Sequence, residues 1–355
     1  MPEESILEAV EKTVGRRPDS VERLPGGANN VVARVKQGPE TFLAKMYFNH
    51  PRDPRDRLGT EFSTLTFMWN NGLRCIPRPI AMNRDCNLGV YQFIHGSRLA
   101  SGQVTWHDVL QLCDLLRAMW MLRERPGADQ LSDASEACFS LRTYFDHVQA
   151  RLERVETALR DNVDSLAREL VLTQTRPAWE TLSAFVEKRS KAYQVDLDAV
   201  LPKARRTLSP ADHGFHNTLR NSEGNLVFLD FEYAGWDQPA QMLANACLQP
   251  EVPLPAELRK QFLKIMVIEM PGDDQLVFWL RLLYPLLSFK WSLIMLNEFL
   301  PVSGQRRSFA SVNAEDRRAA QLEKSRRQLQ DCLQAASNRC FLDDLIDELK
   351  PLPLL

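Results

Sequence analysis

Asp212, Asn217 and Asp230 are the residues whose types and spacing best suit a reaction. The first two lie in the polar stretch Ser209-Pro-Ala-Asp-His-Gly-Phe-His-Asn217, and the third ends the short apolar run Leu226–Leu229. Asn221, Ser222 and Gly224 supply turn residues between the two stretches. A hairpin of this kind brings the three side chains to one edge. Two carboxylates and an amide oxygen are hard oxygen ligands with a candidate base among them, the set that Mg²⁺ and a phosphoryl transfer need. His213 and His216 flank Asp212. They rank below it as bases, and His216 suits ordering the loop or touching substrate. Glu232, Trp236 and Asp237 either fix the segment after Asp230 or face an acceptor.

Two further features belong to the first hundred residues. Gly26-Gly27-Ala28-Asn29-Asn30 lies between two predicted strands, where a backbone loop can approach phosphates closely and bind them through N–H groups. It is neither GxGxxG nor a Walker A motif, and Gly-Gly is also an ordinary turn. Lys45 sits in the apolar run Phe42-Leu-Ala-Lys-Met-Tyr47. A lysine there is costly unless its ammonium reaches a partner.

The elements that must position these residues fall into two textures. Ile6, Leu7, Val10 and Val14 predict a short amphipathic helix over 3–14. Strands are predicted over 21–24, 30–36 and 41–48, broken by Pro25-Gly26-Gly27 and Gln37-Gly38-Pro39. A helix is predicted from Glu61 to Trp69, then strands near 78–82 and 88–94. Past His95-Gly96 the pattern is helical apart from the hairpin at 209–237. Helices are expected over 105–123, 139–160, 165–190, 238–248, 256–270, 274–300 and 314–348. The expectation is an α+β chain with a small β-rich lobe, residues 1–95, and a larger, mostly helical lobe, residues 96–355, that carries the hairpin.

The spacing Asp212-x-x-x-x-Asn217, with Asp230 after an apolar strand, is the skeleton of a kinase catalytic loop and metal loop. With Phe228-Leu-Asp-Phe-Glu-Tyr-Ala-Gly-Trp-Asp237, the chain resembles the aminoglycoside phosphotransferase and choline kinase family of small-molecule kinases over about residues 20–300. The resemblance implies a protein-kinase-like bilobal fold, with a small antiparallel β-rich N-lobe (1–95) for nucleotide binding and a helical C-lobe (96–355) carrying the catalytic and metal loops and the acceptor site. It also implies ATP with Mg²⁺ as cofactors, and transfer of the γ-phosphoryl group to a hydroxyl of a small molecule. By the same resemblance Asp212 is the catalytic base and Asn217 and Asp230 hold the metal. Lys45 and Glu61 form the phosphate-gripping pair, and Gly26, Gly27, Asn29 and Asn30 form the phosphate loop. Phe93 and Ile94, in Tyr91-Gln-Phe-Ile94, lie where a backbone edge would meet adenine. The chain departs from the family in three places. Pro210 stands where a histidine usually precedes the catalytic Asp by two positions, the phosphate loop is poor in glycine, and Asn245 stands where an acidic residue is usual.

Composition narrows the classes. With 355 residues, 44% hydrophobic and 25% charged, the chain can bury a full core in two lobes. A net charge of −2 gives no global field for nucleic acid or an anionic membrane. The seven cysteines include no CxxC pair, which argues against a zinc site or disulfide framework and for a reducing cytoplasm. The acidic N-terminus has no signal-peptide pattern. The apolar stretch 276–300 contains Arg281, Pro285, Lys290 and Glu298 and reads as a buried core helix rather than a membrane span. The resemblance implies a small-molecule hydroxyl acceptor as partner, the charge and patterning lead to no expectation of nucleic acid or membrane, and the chain is expected as a monomer or homodimer. Aminoglycosides are polycations that need clustered carboxylates. No acidic run in the C-terminal half forces that choice over a sugar or amino alcohol. Two competing readings are a nucleotide-binding pseudokinase scaffold and a protein kinase. The full set Asp212, Asn217, Asp230 and Lys45 weighs against the first, and the lack of an activation segment or Ala-Pro-Glu motif weighs against the second.

Overall fold

The computed structural model describes residues 3–25, 30–49, 53, 55–160, 165–270, 275–300, 314–336 and 339–349. The chain divides into two compact units. Among the described residues, one comprises those within 3–135 and 208–236, and the other those within 136–207, 237–300 and 314–349.

In the first unit, β1 (Ser20–Arg23), β2 (Val31–Gln37), β3 (Glu40–Met46), β4 (Pro79–Asn83) and β5 (Leu88–Gln92) form one antiparallel sheet in the order β1-β2-β3-β5-β4. Val31, Ala33 and Val35 alternate inward along β2, as a half-buried strand requires. They pack with Ala44, Leu88, Val90 and the Ile6, Ala9 and Val10 face of α1 (Glu3–Val14). β3 stops at Met46 and β5 at Gln92, each two residues short of the predicted strand, so Phe93 and Ile94 lie beyond the ladder.

Helix α2 (Arg57–Asn70) starts one turn earlier than the sequence pattern suggests, because the Asp56 carboxylate caps it by accepting from Gly59 N–H. Glu61 is thereby an interior residue on the buried face with Leu58, Leu65 and Met68. Helix α3 (Trp106–Leu122) begins with a reciprocal capping box between Thr105 and Asp108. It also holds the hairpin of interest. Gln111 accepts from Leu226 N–H and donates to the Gly224 carbonyl, and Asp108 pairs with Arg220 at 2.6 Å. The apolar run expected before Asp230 is β9 (Leu226–Phe228), and it joins β6 (Ser97–Arg98) and β8 (Thr218–Arg220), both too short to leave a pattern, in a three-stranded sheet of order β6-β8-β9. The segment β7 (Thr207–Ser209) leads into the Asp212 loop.

The second unit is helical: α4 (Leu141–Arg160), α5 (Ser165–Leu170), α6 (Arg176–Ala192), α7 (Pro239–Leu248), α8 (Ala256–Glu269), α9 (Leu276–Met295), α10 (Ala314–Ala335) and α11 (Phe341–Leu349). Helices α5 and α6 run on through a wide π turn at Val171–Thr175. Among the described residues one helical stretch, Leu276–Phe299, is long and apolar enough to cross a membrane, and 78% of its most apolar window is buried within the protein. Arg281 and Lys290 within it are paired. Arg281 bonds Asp343 at 2.9 Å and the Ala335 carbonyl at 2.8 Å, and Lys290 meets Glu136 at 2.9 Å. The helix predicted over 314–348 is two helices. Arg281 takes the last carbonyl of α10, and Asp343 caps α11 by accepting from Cys340 N–H.

Candidate active site

The site is built on β3, α2 and the two loops of residues 209–217 and 229–232, all within the first unit. Register in the sheet places Lys45 opposite Val32 on β2 and Gly89 on β5. Its ammonium, 8% exposed, reaches Glu61 Oε2 at 2.6 Å, Asp230 Oδ1 at 2.5 Å and Glu232 Oε2 at 3.6 Å. The pairing expected of Lys45 and Glu61 is therefore present, and Asp230 joins it from a loop 185 residues further along. Burial disfavours the charged ammonium, but Asp230, Glu61 and Glu232 outweigh it and hold the Lys45 pKa well above the usual lysine value. Burial, with Asp230 and Glu232 nearby, pushes the Glu61 carboxyl up against the pull of Lys45. Glu61 also accepts from Tyr47 OH at 2.7 Å and from Phe231 N–H at 3.3 Å. The three donors on Glu61 favour its charged form against that burial. Tyr47 OH in turn shares a hydrogen bond with Tyr91 OH at 2.7 Å, and burial with the nearby Glu61 raises both phenols.

Asp230 and the Asp212 loop carry backbone strain. Asp230 has φ +66° and Ala211 φ +63°, left-handed values that a non-glycine residue holds only where the surroundings impose them. At Ala211 the N–H donates to Ser209 Oγ and the next N–H, of Asp212, to the Pro210 carbonyl. The Asn217 side chain donates through Nδ2 to the Asp212 carbonyl at 2.9 Å, and Leu229 N–H donates to the Asn217 carbonyl at 2.8 Å. These bonds fasten the catalytic-loop candidate to the strand that delivers Asp230. Of the two histidines, His216 faces Asp212, with Nε2 3.4 Å from Oδ1, while His213 is buried.

Exposure separates two kinds of carboxylate. Asp212 and Asp230 have side chains 36% and 35% exposed, whereas Glu61 and Glu232 are 5% and 0%. The first pair can meet a ligand and the second pair cannot. Glu61, Asp230 and Glu232 bring carboxylate oxygens within 4.8 Å of one another, but the Lys45 ammonium already stands among them. The set that fits Mg²⁺ is Asp230 with Asn217: an open carboxylate with one oxygen on Lys45, and an amide whose nitrogen is used on Asp212, leaving Oδ1 as the hard donor.

Gly26, Gly27 and Asn29 lie outside the described residues. The side chain of Asn30 is buried, donating to Glu232 Oε2 at 2.6 Å and accepting from Phe48 N–H at 3.3 Å. Phe93 and Ile94 are half-buried just past β5, with the Phe93 ring edge-on to His95 at 5.0 Å. Asn245, which stands where the resemblance leads to an acidic residue, accepts from Trp291 Nε1 at 3.2 Å within the second unit. Sequence reasoning missed Tyr47, Tyr91 and Arg57 as members of the buried network and left Glu232 undecided. The signal for Glu232 was the one used for Lys45, a charge inside an apolar run, Phe228-Leu-Asp-Phe-Glu-Tyr233.

A sequence model of the phosphotransferase enzyme family matches residues 20–266. The chain belongs to that family. Its fold is the protein-kinase-like fold of small-molecule kinases. Spectinomycin phosphotransferase, solved with ADP and spectinomycin, superposes with a TM-score of 0.62 at 15% identity, over 94% of this chain and 98% of the other. Choline kinase LicA from Streptococcus pneumoniae gives 0.59 at 15% identity, covering 93% and 99%. Choline kinase from Cryptosporidium parvum gives 0.58 at 15%, covering 93% and 90%. Comparison of the sequence with curated proteins finds no match. In this family member the expected antiparallel sheet precedes the expected helical remainder.

Proposed function

We propose that the protein transfers the γ-phosphoryl group of MgATP to a hydroxyl of a small molecule, such as a sugar, an amino alcohol or an aminoglycoside-like acceptor. The observation that carries this reading is the convergence of Lys45, Glu61 and Asp230 within 2.6 Å contacts, beside a loop that leaves the Asp212 carboxylate open. In the transfer, the acceptor oxygen forms a bond to the γ-phosphorus, the bond from that phosphorus to the β,γ-bridging oxygen breaks, and ADP leaves. Asp212 orients the acceptor hydroxyl and takes its proton. Glu61 aims Lys45 at the phosphate oxygens. Asp230 and Asn217 would hold the Mg²⁺, which would supply positive charge to neutralise the phosphates. The backbone after β5, at Phe93 and Ile94, is assigned to the adenine edge. Such a reaction asks the protein for positioning and charge stabilisation more than for covalent chemistry, which suits a site whose ionic contacts are buried and fixed.

The spectinomycin and choline enzymes act on hydroxyl-bearing small molecules, which supports this acceptor class. Helix α7 begins at Pro239, so there is no long activation segment between Asp230 and the next helix, and a protein substrate is disfavoured. The test is a coupled ADP-release assay of purified protein against a library of hydroxyl-bearing metabolites that includes aminoglycosides. One chemical class of acceptor should raise ADP release well above the acceptor-free rate. Nucleotide binding with no acceptor-dependent release across the library would favour a scaffold instead.

A further inference from the structure

Glu232 has no part in the phosphoryl transfer set out above, yet it is the most shielded charge in the network, with a side chain 0% exposed. It cannot face an acceptor. Its Oε2 accepts from Asn30 Nδ2 at 2.6 Å and lies 3.6 Å from Lys45 Nζ, and its Oε1 lies 3.6 Å from Arg57 Nε. Arg57, itself 2% exposed, also donates to the Phe48 carbonyl at 3.0 Å, and Asn30 receives Phe48 N–H. One carboxylate therefore meets the lysine of β3, the first turn of α2 and the residue that opens β2.

The charges around it are unequal in their freedom. Lys45 faces Glu61, Asp230 and Glu232, and of these three carboxylates Asp230 alone is substantially open to solvent, while Arg57 pairs with Asp53 at 2.5 Å and meets Glu232 at 3.6 Å. Asp230 is the one that can turn from Lys45 toward a cation or a phosphate-bound partner. When it does, Lys45 keeps Glu61 and Glu232. Glu232 is shared with Arg57 and pinned by Asn30, so it stays where it is. A buried carboxylate persists only with such partners, and removing one charge leaves the others uncompensated.

We infer that Glu232 is a positioning residue for nucleotide: it anchors the Lys45 ammonium and, through Asn30, ties the start of β2 to the loop that bears Asp230. This rests on the phosphotransferase reading. It differs from a metal-ligand role, because it predicts an effect on ATP binding that does not depend on Mg²⁺.

The experiment is calorimetric titration of ATP, with Mg²⁺ and separately with excess EDTA, into wild type, Glu232→Gln, Asn30→Ala and the double variant, each checked for folding by circular dichroism. Glu232→Gln should weaken ATP by about tenfold in both buffers. Asn30→Ala should weaken it less, and the double variant should lose less than the product of the two, because Asn30 acts through Glu232. Asp230→Asn, the control, should lose affinity mainly in the Mg²⁺ buffer. A purely structural Glu232 would lower the melting temperature and leave the ATP affinity of folded protein unchanged, and that result overturns the inference. So does a loss confined to the Mg²⁺ buffer, which would make Glu232 a metal ligand. If Glu232→Gln does not fold, Asn30→Ala carries the test, and wild-type affinity in that variant overturns the link. Failure of wild type to bind ATP in either buffer overturns the phosphotransferase reading itself, whereas wild-type binding with an unaffected Glu232→Gln overturns this inference alone.

Discussion

Lys45 Nζ stands 2.5 Å from Asp230 Oδ1, joining two positions 185 residues apart in the chain. Glu61 completes the contact at 2.6 Å from the same ammonium. The lysine and the aspartate proposed above for phosphate and metal thus share one charge centre, and the consequences can be measured.

The first consequence concerns the lysine. Lys45→Ala and Glu61→Ala should each lower kcat/KM by well over about tenfold, since each leaves a buried ion uncompensated. The double variant should fall far short of the sum in free energy, because Glu61 acts through Lys45. A double-mutant cycle reads the coupling directly, and independent effects would contradict the pairing.

Metal removal gives a second check. MgATP should raise the melting temperature substantially, and ATP with excess EDTA should raise it much less, because ligation to Asp230 adds to the binding free energy of the folded state alone. Differential scanning calorimetry at matched ATP concentrations would show the difference. Equal shifts in the two buffers would count against Asp230 and Asn217 as metal ligands.

Stability of the helical unit should depend on the buried pair of Arg281 and Asp343. Arg281 is 0% exposed and bonded at 2.9 Å to Asp343. Asp343→Ala strands that guanidinium in the core and should cost about 3 to 5 kcal/mol. Arg281→Met, which removes the charge and keeps the volume, should cost clearly less. Urea denaturation would rank the two, and the reverse order would refute the account.

Acid should unfold the protein partly through Glu136. Burial opposes its ionisation, but Lys290 and Arg151 more than offset this and hold its carboxyl well below the usual glutamate range. A depressed carboxyl stabilises the fold above its unfolded pKa of about 4.3 and loses that contribution as pH falls toward the folded value. Glu136→Gln should therefore be less stable than wild type at pH 7, and the gap should narrow at about pH 3. A gap that stays constant between these pH values would show that Glu136 does not titrate as described.

Much of this site was legible in the sequence. The order of Lys45, Glu61, Asp212, Asn217 and Asp230 could be read because each is a polar residue of specific type placed in or beside an apolar strand or helix. The strands and long helices followed from periodicity. What escaped depends on distance in the chain or on shortness. The bond from Asn30 to Glu232 spans 202 residues, and no local pattern encodes it. Strands of two or three residues, such as Ser97–Arg98 and Thr218–Arg220, are too short for alternation to register. The start of α2 at Arg57 is set by a cap, Asp56, which lies outside the apolar period. The division between α10 and α11 is made by Arg281, from a helix far upstream.

The measurement that bears most directly on the central claim is the turnover of Asp212→Asn set beside its affinity for MgATP. This change keeps the shape of the side chain and removes its charge and basicity. Because Asp212 is assigned to the acceptor proton and Lys45 with Asp230 to the nucleotide, kcat on the acceptor found by screening should fall by about 10²-fold or more, the scale of a lost general base. The Kd for MgATP by titration calorimetry should stay within about twofold of wild type, about 0.4 kcal/mol. Turnover at the wild-type rate would contradict the assignment of Asp212 and shift the search for the base to His216, 3.4 Å away.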